Sequence, residues 1–163
     1  IMDWRVMTER DLARMDALTR IAQEEYWEDT AIFAACFRLY PAGCHVVDAG
    51  AGELGGYLIA HPGRLDTPSV LHVPLERLPE PADCYYLHDL ALAPVTRGHG
   101  LAGAAVEIVV ADARRAGLDT LALIAVGDAH DFWRHQGFAE IGDGRVDPAK
   151  GYGDEARAMI RRI

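Results

Sequence analysis

Apolar positions along the chain recur at two periods, one helical and one strand-like. Leu12, Met15, Leu18 and Ala22 fall at helical spacing behind Thr8, a good N-terminal cap. Asp11 lies in the first turn, where the helix dipole favours an acid, so a helix is expected to run to about Glu25. Thr30 to Leu39 reads as a second helix, stopped by Pro41-Ala42-Gly43. Trp4 to Met7 is a short strand, and Cys44 to Ala49 with Leu54 to Ala60 form a hairpin about Ala51-Gly52. Residues 61–83 carry five prolines and read as a long connection, with one short element around Val70 to Val73. Tyr85 to Ala93 is a strand ended by Pro94, and Leu101 to Ala116 is a helix closed by Gly117. Leu121 to Val126 is a nearly unbroken apolar run, as a strand covered on both faces would be. Asp128 is placed to cap a short helix over Ala129 to Gln136, and Phe138 to Ile141 and Ala156 to Ile160 read as two last strands.

Strands alternating with helices over 163 residues, half of them hydrophobic, predict a single mixed α/β domain spanning 1–163. The chain holds 25 acids against 16 bases, a formal charge of −9, with no basic stripe. Phosphate neutralisation supplies most nucleic-acid affinity, so such a partner is not expected; a cationic substrate suits the charge better. No apolar run is long enough to cross a bilayer and no leader pattern opens the chain, so a cytoplasmic protein without a membrane partner is expected. Cys36, Cys44 and Cys84 are odd in number and widely spaced, which predicts free buried thiols. His45, His61, His72, His130 and His135 show no ligand spacing on one helix, so no metal is expected.

The chemistry concentrates in Leu92-Ala93-Pro94-Val95-Thr96-Arg97-Gly98-His99-Gly100-Leu101-Ala102-Gly103, between a strand and a helix. Three glycines within six residues let a ligand approach the backbone, and the unpaired N–H groups of a helix start attract anions. Alone, the turn is as readily structural. No Lys-Ser/Thr follows, so it is not a phosphate loop of the nucleotide triphosphatases. The third glycine is misplaced for a dinucleotide fold.

Arg97-x-x-Gly100-x-Ala102 resembles the Q/R-x-x-G-x-G/A pyrophosphate motif of the GNAT superfamily of N-acetyltransferases. Some 30 residues on, Phe132-Trp133-Arg134-His135-Gln136-Gly137-Phe138 resembles that superfamily's FYxxxGF segment. The match is strong over residues 85–141 and holds only in outline over 1–60. The resemblance implies a central, mostly antiparallel sheet with a splayed parallel strand pair and flanking helices. It implies acetyl-CoA as co-substrate, with the pyrophosphate on Arg97, Gly98, His99, Gly100, Leu101, Ala102 and Gly103, and the pantetheine along Leu92 and Ala93 beside Phe132 and Trp133. An amine of a small molecule or peptide would attack the thioester directly. The strand presents Tyr86, His88 and Leu90 on one face, the face where relatives place a base; His88 is the candidate general base, with Tyr86 beside it as a second catalytic candidate. Asp89 is expected on the opposite face. Tyr26, Trp27 and Glu28 lie where relatives build the acceptor pocket, and aromatics beside an acid suit an ammonium group. Homodimers are common among relatives. One departure stands out: Trp133 occupies the place of the tyrosine that often protonates the leaving thiolate, and an indole N–H supplies no useful proton. The competing reading is a non-catalytic acyl-CoA-binding or sensing domain of the same fold.

Overall fold

The computed structural model describes residues 2–22 and 28–163. The chain runs β1 (Trp4–Val6), α1 (Glu9–Ala22), α2 (Thr30–Leu39), β2 (Cys44–Gly50), β3 (Glu53–Gly63), β4 (Cys84–Leu92), α3 (Leu101–Arg115), β5 (Thr120–Ala125), α4 (His130–His135), β6 (Ala139–Arg145) and β7 (Arg157–Arg162). One sheet takes all these strands in the order β1-β2-β3-β4-β5-β7-β6. Every neighbouring pair is antiparallel except β4 and β5. The expected elements are present, with ends shifted by a few residues; β3 runs three residues further than its apolar pattern, through His61-Pro62-Gly63. The short element expected around Val70 to Val73 does not form. That stretch is instead held by a backbone bond from Leu71 N to Lys150 O (2.9 Å).

Two cores sandwich the sheet. Leu12, Met15 and Leu18 of α1 and Phe33 and Cys36 of α2 pack with Val46, Tyr57, Ile59 and Ala91 on one face. Ala105, Val106 and Val109 of α3 pack with Leu58, Tyr85, Leu87, Leu121 and Leu123 on the other. Each such aliphatic side chain contributes about 2 kcal/mol by leaving water. The helical spacing read from sequence is the spacing of these buried faces.

The register of β4 departs from simple alternation. Tyr57 faces Ala91, Leu58 faces Leu90 and Ile59 faces Asp89, but the next residue, Ala60, faces Leu87. His88 is therefore an extra residue, a β-bulge that resets which side chains share a face. Asp89 comes to the α1/α2 face with His88 instead of the opposite one, and Leu90 turns to the α3 face. This corrects the alternation expected for Tyr86, His88 and Leu90. The pairing with β5 is limited to Tyr85↔Leu121 and Tyr86↔Ala122, just before the bulge. Past that point the two parallel strands part.

Candidate functional site

The parting of β4 from β5 opens a groove of about 560 Å³. Its walls are residues 87–92 of β4, Leu123 and Ile124 of β5, residues 126–129, and Phe132 and Trp133 of α4, with Arg97 and Ala102 at one end. Trp133 is buried and stands edge-on to Phe132 (4.9 Å between centroids) and Phe138 (5.4 Å). It acts as a rigid wall. Of the residues expected to border this space, Leu92, Arg97, Ala102, Phe132 and Trp133 do. Ala93 lies beneath it, buried, with its N–H committed to Gly55 O (2.8 Å).

The glycine turn closes the end of the groove. Thr96 is fully buried, and its hydroxyl is shared between Gly55 O (2.9 Å) and Ala93 O (2.8 Å), which pins the turn to β3. Trp4 donates its indole N–H to Leu101 O (2.8 Å), tying the start of α3 to the edge strand. Neither anchor was foreseen; a lone threonine or tryptophan carries no distance signal. Gly98 and Gly100 have φ of 82° and 74°, a region other residues avoid. Gly103 is different. Its backbone is ordinary helix, and a methyl group built there would meet nothing within 4 Å. Packing within the chain does not require this glycine. The first-turn N–H groups of α3 have no intrahelical acceptor and open to solvent beside Gly98, His99 and Gly100, all exposed. Arg97 is exposed too and reaches Leu92 O (3.3 Å).

His88 sits at the other end, with its side chain 3 % exposed. Its Nε2 is 3.6 Å from Glu28 Oε1, while its Nδ1 has no hydrogen-bond partner. The other Glu28 oxygen accepts from the His72 N–H (2.8 Å) in the long 64–83 connection. Asp89, brought to this side by the bulge, accepts from the Tyr57 hydroxyl (2.7 Å). Burial pushes its carboxyl up to about 6 against the lowering effect of that bond. Tyr86 does not line the groove. It packs behind His88 (6.0 Å between centroids) and His61 (5.6 Å), and burial holds its hydroxyl well above the ordinary range. Glu28, expected as an acceptor-pocket residue, instead faces the imidazole of His88 and is itself buried. Tyr26 and Trp27 lie outside the described residues. Asp128 does not cap α4, whose first residue follows Ala129 with no side-chain cap; it borders the groove.

Chemically, the site offers a slot along β4 where its pairing with β5 has ended, the start of α3 at one end and an imidazole–carboxylate pair at the other. A profile of the Acetyltransferase (GNAT) family matches residues 10–138. Among solved structures, the chain is similar to a GphF GNAT-like decarboxylase in complex with isobutyryl-CoA, at 18% identity, covering 98% of each chain with a TM-score of 0.74. It is similar to a component of a NatC complex bound to Gag peptide and CoA, at 16% identity over 99% of this chain and 98% of that one, with a TM-score of 0.73. It is also similar to the ribosomal-protein-S18-alanine N-acetyltransferase from Escherichia coli, at 15% identity over 100% and 94%, with a TM-score of 0.67. No curated protein matches the chain in sequence.

Proposed function

The chain belongs to the GNAT acetyltransferase family, and we propose that it moves an acetyl group from acetyl-CoA to a primary amine of a small molecule or peptide, with His88 as general base. The observation that carries this is the groove between the splayed strands. One slot joins an anion-binding turn to a buried imidazole.

Gly98 to Gly103 would hold the pyrophosphate, and the β4 edge beyond the bulge would lie along the pantetheine. Gly103 supports this, since its missing side chain leaves room for a group from outside the chain. The Glu28 carboxylate facing His88 Nε2 favours the proton on that nitrogen, which leaves the Nδ1 lone pair as the base. The incoming ammonium gives up a proton through His88, directly or through a water. Its nitrogen then forms a bond to the thioester carbonyl carbon as the carbon–sulfur bond breaks, and that nitrogen gives its second proton to solvent. CoA leaves as thiolate, and the proton passes from the imidazole to solvent or to that sulfur. With Trp133 in the groove wall, the thiolate departs without a tyrosine acid; its low basicity makes this workable. The Asp89 carboxylate in the groove wall suits an acceptor that arrives as a cation.

His88→Gln is the test. Calorimetry should show acetyl-CoA binding unchanged, while thiol release with an amine panel falls about 10²- to 10⁴-fold. Retained turnover would refute the base assignment. Wild-type protein that binds acetyl-CoA but consumes none across the panel would instead establish the sensing domain.

A further inference from the structure

Behind the groove, three side chains converge from three elements: Cys36 of α2, His61 of β3 and His88 in the bulge of β4. The Cys36 sulfur and one nitrogen from each ring all lie within 4.8 Å of one another. Cys36 is 1 % and His61 2 % exposed, and the His88 side chain is 3 % exposed.

The hydrogen-bond accounts of the two imidazoles are incomplete in the same way. His61 Nδ1 is 2.9 Å from Pro62 O. A carbonyl only accepts, so Nδ1 carries the proton, and the lone pair is on Nε2. That Nε2 is buried without a partner. On His88 the nitrogen facing Glu28 is Nε2, and Nδ1 is buried without a partner. His61 is thus oriented through Nδ1 by a backbone carbonyl, His88 has the Glu28 carboxylate 3.6 Å from its Nε2, and each ring has its other nitrogen buried without a partner. This is how proteins hold histidines that ligate a metal. One thiol proton can satisfy at most one of the two lone pairs, and a buried unsatisfied acceptor is costly.

We propose that Cys36, His61 and His88 form a binding site for a divalent cation of the zinc class. One thiolate and two neutral imidazoles are the donor set such ions prefer. Around a tetrahedral zinc ion these donors would lie about 3.4–3.6 Å apart, so closure by about 1.4 Å or less completes the site. On binding, the Cys36 thiol releases its proton to solvent, and the Glu28 and Asp89 carboxylates offset the remaining positive charge. Ligand spacing along the sequence concealed the group because its members are 25 and 27 residues apart and meet only across two strands and a helix. If His88 is the base, as proposed above, the cation takes the lone pair the reaction needs and silences transfer.

The test is titration of the untagged, chelator-treated chain with Co²⁺ as a spectroscopic stand-in, followed by X-ray absorption of the zinc-loaded chain. The expected result is one equivalent per chain, with thiolate-to-cobalt charge transfer and tetrahedral ligand-field bands. These should be lost in Cys36→Ser and kept in Cys84→Ser. Glu28→Gln should weaken binding about 10- to 100-fold. The absorption spectrum should show one sulfur and two imidazole nitrogens around zinc. Absence of binding, or binding that survives Cys36→Ser, would overturn the proposal. An all-oxygen zinc shell would do the same, and it needs no variant to fold. None of these readouts depends on catalysis, so a silent enzyme does not decide the metal question.

Discussion

Gly103→Ala separates a glycine kept for a ligand from a glycine kept for the fold. The residue is third in α3, in ordinary helical conformation, and a Cβ there meets no atom within 4 Å. Alanine therefore brings no clash, and its helix propensity exceeds that of glycine by about 1 kcal/mol. For a chain of this size that is a rise of about 2–4 °C in Tm. In the proposed complex the CoA pyrophosphate lies at the first turn of α3, where the same methyl would take up space. Pushing one charged oxygen out of reach removes a hydrogen bond of about 1.5–3 kcal/mol, which weakens acetyl-CoA binding about tenfold or more. The variant should be more stable and bind worse. Thermal denaturation and calorimetric titration on one preparation read both. Gly100→Ala is the control: its φ of 74° makes alanine strained, so stability should fall. A Gly103→Ala protein with higher Tm and unchanged affinity would refute the placement of the pyrophosphate.

Other expectations follow from single features. Asp11 is 1 % exposed and accepts from Arg5 through two nitrogens (2.8 and 2.9 Å) and from Thr8 N (2.7 Å), with Arg14 close by. The Arg5 guanidinium holds its carboxyl well below the usual range, so this stabilisation is complete above about pH 4 and lost as pH falls through the lower folded value. Asp11→Asn should cost about 3 kcal/mol in urea denaturation at pH 7, with the deficit shrinking in acid; an equal deficit at pH 2 would contradict this. A Cβ on Gly43 would come within 1.8 Å of Ala60 O, a backbone atom that cannot yield. Gly43→Ala should lose about 3 kcal/mol or more, seen as a low Tm or insoluble expression. Trp133→Phe should lower stability through lost packing yet leave kcat nearly unchanged, since the indole supplies no proton; a large fall in kcat would assign it a chemical role.

What was legible in the sequence is what local pattern determines. The helical stripes of α1, α2 and α3, the β2–β3 hairpin and the glycine turn at 98–103 each rest on neighbours within a few residues, and so does the resemblance that named the family. The parallel pairing of β4 with β5 and the slot between them followed from that resemblance, and their position was correct. What the tertiary structure decided lies across elements. Strict alternation along β4 placed Asp89 opposite His88, but the bulge is a mismatch between two strands, visible only when Ile59 and Ala60 are laid against Asp89 and Leu87. Glu28 read as a substrate contact because its partner, His88, is 60 residues away in the chain and meets it only in the folded structure. Cys36 read as a free buried thiol and His61 as the start of the long connection for the same reason. Periodicity reports which face a side chain takes; it holds no information on which distant side chain shares that face, because chain folding, not chain order, sets those distances.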